Sequence, residues 1–286
     1  MANREVGKTL MALAVLLAVG GGCGWWLLEW RWEDILSPAR AVGGYEVARH
    51  DDDTLRVVMI GDSWAGMHSE TLCDTLLQGW LARLTGASVR VESNGRGGAK
   101  SKEVYGLMFR ATAPAEEQRL GRCTQQQLQR GADYCIVMAG INDAAACLGT
   151  RYYCENYRLI IDFLLAAGIR PVVVEMPRVD IAGLYGGKPL KDRAVDWLRS
   201  AMTDCRMYDV APYGQRLLAM LDEQGLADSV VLVRKEQWNA DGVADQRGLY
   251  LPDGIHLNAR GYGVLDSCLA TAIADDLRKL KNNSTF

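Results

Sequence analysis

The chain has 286 residues, 49% of them apolar and 23% charged, enough to bury one substantial core. A net charge of -3 supplies no electrostatic basis for nucleic-acid binding. Eight cysteines and three histidines without a single Cys-x-x-Cys pair lack zinc-finger spacing, so neither a metal nor any other cofactor is expected.

In chain order, the first feature is an uncharged stretch from Thr9 to Leu28, long enough to cross a bilayer as a helix. Trp25, Trp26, Trp30 and Trp32 crowd its far end like an interfacial belt. Residues 1–34 therefore read as a tail and one uncleaved transmembrane anchor spanning about 9–28. A cleaved signal peptide fits less well, because the small-residue site Ala39, Arg40, Ala41 lies too far beyond Leu28. Cys23 as a lipoprotein cysteine is disfavoured because the apolar run continues past it. Arg31 and Arg40 nearly balance Arg4 and Lys8, so charge alone does not orient the anchor. Residues 35–54, with His50 and the run Asp51 to Asp53, read as a linker.

From there to residue 281, apolar strands alternate with helical patterns. The strands are predicted at Arg56–Ile60, Ser88–Glu92, Tyr134–Ala139, Pro171–Glu175 and Ser229–Val233. Helices are predicted at Ser69–Arg83, Cys154–Ala167, Lys191–Met202, Pro212–Glu223 and Ala259–Leu280. This alternation predicts an α/β fold, a three-layer α/β/α sandwich around a five-stranded parallel sheet. Val179–Pro189 and Glu236–Leu251 read as mobile loops near a site, and residues 282–286 as a frayed C-terminus, where the glycosylation-like triplets at Asn282 and Asn283 are accidental.

Four segments carry chemistry. Ser63 follows the apolar strand Val57–Ile60 and Gly61, where a helix starting near Ser69 points backbone amides at it. Asp253 stands three residues before His256, a spacing that lets one turn aim the carboxylate at one ring nitrogen while the other faces a serine. Ser63, His256 and Asp253 thus form a candidate triad. The loop Asn94–Gly98 after the second strand, the side chain of Asn142 and the amide of Ser63 supply donors for a developing oxyanion. His68 is the rival base, and its ordinary reading is a partly exposed residue on a helix face. Asp62 and Asp143 read as local caps rather than as the triad acid. The string Gly95–Ser101 mimics a phosphate loop but has Ala99 before Lys100 and Ser101, where that motif requires glycine.

The blocks GDSW at Gly61–Trp64, NGRGG at Asn94–Gly98, GIND at Gly140–Asp143 and DGIH at Asp253–His256 resemble, in order and spacing, those of the SGNH hydrolases, also called the GDSL esterase and lipase family. The resemblance covers about residues 55–280. It implies a flavodoxin-like SGNH fold, nucleophile Ser63, base His256, orienting Asp253, and an oxyanion hole of Ser63, Gly98 and Asn142, with Gly97 the alternative to Gly98. Trp64 departs from the family leucine, and Ala99 stands where many members carry aspartate.

Together these features predict a membrane-anchored serine esterase that cleaves O-acetyl or other short acyl esters, on cell-envelope carbohydrate, by way of an acyl-enzyme. One alternative is a polysaccharide O-acetyltransferase that uses the same residues and receives acyl groups from a separate membrane protein. Another is a catalytically idle SGNH-fold binding module. Seven cysteines after the anchor place the domain in an extracytoplasmic, oxidising space, with Cys147 and Cys154 bracketing a loop that a disulfide would stiffen. Cys135, within a strand, reads as a buried thiol.

Overall fold

The computed structural model describes residues 35–111, 123–238 and 248–283. The chain divides into two compact units, residues 1–37 and 38–286. Of the first, only Ile35 to Ser37 are described, so the expected anchor lies outside the described residues. Among the described residues no helix is long and apolar enough to cross a membrane.

The second unit is built on five strands: β1 Thr54–Gly61, β2 Ser88–Gly95, β3 Tyr134–Met138, β4 Arg170–Val174 and β5 Val231–Val233. They form one sheet in the order β2-β1-β3-β4-β5, with every pairing parallel. Parallel strands covered on both faces read as continuous apolar runs, as in β3, where all five residues are buried. All five predicted strands are present, with ends shifted by no more than a few residues.

Helices cover both faces. They are α1 Ser63–Glu70, α2 Cys73–Thr85, α3 Ser101–Leu107, α4 Thr124–Gln129, α5 Ile141–Ala145, α6 Thr150–Ala166, α7 Ile181–Tyr185, α8 Leu190–Met202, α9 Ala211–Glu223, α10 Lys235–Trp238 and α11 Ala259–Asn283. On one face α2 packs on β2, α11 packs on β5, and the two pack on each other; on the other, α6 lies on β4 between α3 and α9.

Three expectations change. The helix predicted at Ser69–Arg83 is two helices, because Leu72 adopts a left-handed φ of 59° and breaks the ladder between α1 and α2. The segment Val179–Pro189 contains α7, capped by the Asp180 carboxylate on the Gly183 amide at 2.7 Å, so it is a built turn of helix. Residues 38–53, read as linker, lie on the sheet unit: the Ala39 amide donates to Asn156 Oδ1 at 2.7 Å, the Val42 amide to the Tyr105 hydroxyl at 3.0 Å, and the Tyr45 ring packs on Phe109 and Phe163.

Candidate active site

Main-chain packing between strands creates the turn that carries Ser63. A Cβ at Gly61 would lie 2.0 Å from the Met138 carbonyl oxygen, so glycine alone lets β1 end against β3 there. The Asp62 amide then donates to that same carbonyl at 2.9 Å, and the Asp62 carboxylate caps α1 by accepting from the Trp64 amide at 3.0 Å. Ser63 is consequently the first residue of α1, six residues earlier than the helix start predicted from sequence. Gly95, at the end of β2, closes the turn from the other side. Its Cβ would stand 2.2 Å from the Asp62 carbonyl oxygen and 2.4 Å from the Gly66 nitrogen.

His256 reaches this serine from a turn before α11. Its Nε2 lies 2.9 Å from Ser63 Oγ, and its Nδ1 lies 2.6 Å from Asp253 Oδ2. With the Nδ1 proton donated to Asp253, Nε2 is left as acceptor for the serine hydroxyl. Asp253 is fixed in turn, its Oδ1 accepting from the amides of Ile255 at 2.9 Å and His256 at 3.0 Å. Partial burial raises the Asp253 carboxyl, but the bonds from the His256 side chain and the two amides prevail and hold it below the usual carboxylate range. The turn is anchored from outside by the Asp180 amide, which donates to the Gly254 carbonyl at 3.1 Å.

The oxyanion candidates come from the neighbouring strand ends. Gly98 has φ +73°, and a Cβ on Gly97 or Gly98 would meet nothing within 4 Å, so this loop faces open space. Among the described residues, the amides of Ser63, Gly97 and Gly98 donate no hydrogen bond. Asn142, in α5, sends its side-chain amide to Asp62 Oδ2 at 3.2 Å and to the Ala99 carbonyl at 3.1 Å, tying the nucleophile turn to the glycine loop. Asp143 is fully buried and accepts from the Ser101 amide and hydroxyl, so the expected local cap is instead a long-range bond to the start of α3, 42 residues earlier in the chain. Burial pushes both Asp62 and Asp143 up to about 7, against the hydrogen bonds each accepts. A cavity of about 20 Å³ lined by Asp62, Trp64, Met138, Ile141 and Met176 lies beside this turn.

Cys147 and Cys154 are free thiols rather than a bridge, and Cys147 contacts Cys205 instead. Cys135 is fully buried, as expected.

The other histidines stand apart. His50 is exposed and bonds the Arg130 carbonyl. His68, expected to be partly exposed on a helix face, is fully buried. Its Nδ1 lies 2.9 Å from Asp74 Oδ1 and 2.9 Å from Ser93 Oγ, and its Nε2 lies 2.8 Å from Asp266 Oδ1. Burial works against a charged ring here, but the two carboxylates overcome it and lift His68 to about 9. Asp74 and Asp266 went unnoticed in the sequence. The available signal was a carboxylate on the apolar face of α11, between Tyr262, Leu265 and Leu269.

The model of the GDSL-like lipase/acylhydrolase family matches residues 59–264. The chain belongs to this family. The SGNH resemblance is thereby borne out, and with it an ester hydrolase of the GDSL type. No curated protein matches the chain. Among solved structures, this GDSL-type chain is similar to a lipase/acylhydrolase from Enterococcus faecalis, with 16% identity over 77% of this chain and 96% of that one and a TM-score of 0.51. It is also similar to a GDSL-like lipase from Bacteroides thetaiotaomicron, with 17% identity, 77% and 88% coverage and a TM-score of 0.48. A third is an acetylxylan esterase from Geobacillus stearothermophilus, with 13% identity, 82% and 96% coverage and a TM-score of 0.48. At these identities the likeness concerns the fold.

Proposed function

We propose that the protein is a membrane-anchored serine esterase that removes O-acetyl or other short acyl groups from cell-envelope carbohydrate. The observation that carries the reading is the hydrogen-bonded relay from Ser63 Oγ through His256 to Asp253. In this reading His256 Nε2 takes the Ser63 proton as Oγ attacks the ester carbonyl, and the amides of Ser63 and Gly98 receive the oxyanion, joined by the Asn142 side chain as it exchanges its 3.2 Å bond to Asp62 for one to the substrate. His256 then returns the proton to the leaving sugar hydroxyl, and water, activated by the same imidazole, releases the acid from Ser63. Asp253 keeps the ring in the required tautomer and stabilises the imidazolium.

The run Thr9–Leu28 supports a membrane anchor, and an anchored esterase with its domain outside the cytoplasm would have acylated envelope glycans within reach.

The test is turnover of p-nitrophenyl acetate and of an O-acetylated glycan, wild type beside Ser63→Ala, with mass spectrometry for an acyl group on Ser63. Turnover that requires Ser63 and His256, with a transient acetyl-Ser63, is the expected result. Undiminished turnover in Ser63→Ala overturns the assignment, and acyl transfer to a glycan in preference to water replaces the esterase with a transferase.

A further inference from the structure

His68 sits near the end of α1, and no residue of the ester-cleaving relay touches it. Around it lie Cys73, the first residue of α2, and Asp266, from the middle of α11. All three side chains are buried, and one ligand atom from each can be chosen so that all lie within 4.8 Å of one another. Asp266 Oδ1 faces His68 Nε2, whereas Asp266 Oδ2 is buried and has no hydrogen-bond partner among the described residues. A carboxylate oxygen held away from water without a donor is costly, and a bound cation would remove that cost.

We propose that His68 Nε2, Cys73 Sγ and the Asp266 carboxylate form a zinc site. Nitrogen, sulfur and oxygen donors of these types are the set zinc prefers. Zinc bonds of about 2.0–2.3 Å place neighbouring donors roughly 3.3–3.7 Å apart in a tetrahedron, so the present atoms need move only about 1 Å. The fourth position is left to water. Asp74 completes the arrangement. It bonds the other ring nitrogen of His68, Nδ1, at 2.9 Å, the place where metal-binding histidines characteristically meet a carboxylate. Ser93 also contacts Nδ1, and its amide donates to Asp74 Oδ2 at 3.1 Å, fixing that carboxylate in turn.

The proton balance favours the exchange. As the ion enters, His68 Nε2 and Cys73 Sγ each lose a proton to solvent, no electron moves, and the doubly charged ion replaces two singly charged protons. The buried cluster keeps the net charge it has with a protonated His68, so no new charge is buried. The zinc would be a structural pin between α1, which begins with Ser63, and α11, which follows His256.

The experiment uses the full-length protein, stripped with a chelator and then dialysed against zinc or cobalt(II). The expected results are one metal ion per chain, a thiolate-to-cobalt absorption band in the near ultraviolet, and a zinc-edge X-ray absorption spectrum with one sulfur among nitrogen and oxygen donors. Cys73→Ser should weaken zinc binding at least a hundredfold, and Asp74→Asn by roughly ten- to a hundredfold. Should Cys73→Ser fail to fold, wild-type Cys73 must become resistant to alkylation when zinc is added, as mapped by mass spectrometry. Wild-type protein that retains no metal, a first shell without sulfur, zinc affinity unchanged in a folded Cys73→Ser, or Cys73 alkylated equally with and without zinc each overturns the proposal.

Discussion

The hydroxyl of Tyr262 donates to the Trp64 carbonyl at 2.8 Å, so the helix that follows His256 is bonded to the residue that follows Ser63. Ser63 and His256, far apart in sequence, are thus held at hydrogen-bonding distance by a contact that includes neither. Tyr262→Phe should cost about 1 kcal/mol of stability, the usual worth of one hydrogen bond. It should also lower kcat a few-fold with KM unchanged, because it loosens the position of the base relative to the nucleophile. Thermal unfolding beside steady-state kinetics on an acetyl ester checks both effects.

Gly95 and Gly97 make a matched pair of tests. A methyl at Gly95 would collide with backbone atoms of the nucleophile turn, whereas one at Gly97 would meet nothing within 4 Å. Gly95→Ala should therefore lose roughly 3 kcal/mol and most of its turnover, and Gly97→Ala should stay within about 0.5 kcal/mol of wild type. Denaturant unfolding of the two variants reads the difference.

Asn142 has two tasks that separate experimentally. Its amide holds Asp62 and the Ala99 carbonyl, and the proposed mechanism asks it to meet an oxyanion as well. Asn142→Ala should lower kcat about a hundredfold or more if the second task is real. If the amide serves only to hold Asp62, the variant loses stability while the folded fraction turns over within a few-fold of wild type.

The buried carboxyls Asp62 and Asp143 give the site an unusual pH dependence. Both are raised to about 7 from an ordinary 3.8, burial being the main cause. Between these values the folded chain keeps protons that the unfolded chain has released. Their contribution to stability is therefore fully present below pH 3.8 and lost as pH rises through about 7. Asp253, held low, acts in the opposite sense: its contribution is present above 3.8 and lost as pH falls below it. Denaturation midpoints measured from pH 4 to pH 8 should fall more steeply for wild type than for Asp143→Asn. A steeper fall in the variant would refute the assignment.

Much of this architecture was legible because parallel strands covered on both faces need uninterrupted apolar runs, and Val57–Ile60 and Tyr134–Met138 supply them. Ser63, Asp253 and His256 were legible because short turns fix their geometry through near neighbours in sequence. The cluster around His68 was not. Its partner Asp266 lies 198 residues away, and nothing in local spacing connects an imidazole on one helix with a carboxylate on another. Short helices such as Ile141–Ala145 also escaped, since five residues span too few turns to show a period and owe their form to packing. The same holds for residues 38–53, whose polar composition suggested a tether and whose Tyr45 nonetheless finds an aromatic seat on Phe109 and Phe163.

The 193 residues between Ser63 and His256 also have a consequence in time. A ribosome adding about 5–20 residues per second delivers the histidine roughly 10–40 s after the serine. Throughout that interval β1, α1 and most of the sheet can form, but Ser63 has no base. In the proposed mechanism Ser63 gains its base only when α11 docks and brings Tyr262 to Trp64, so the growing chain would pass this interval without the relay.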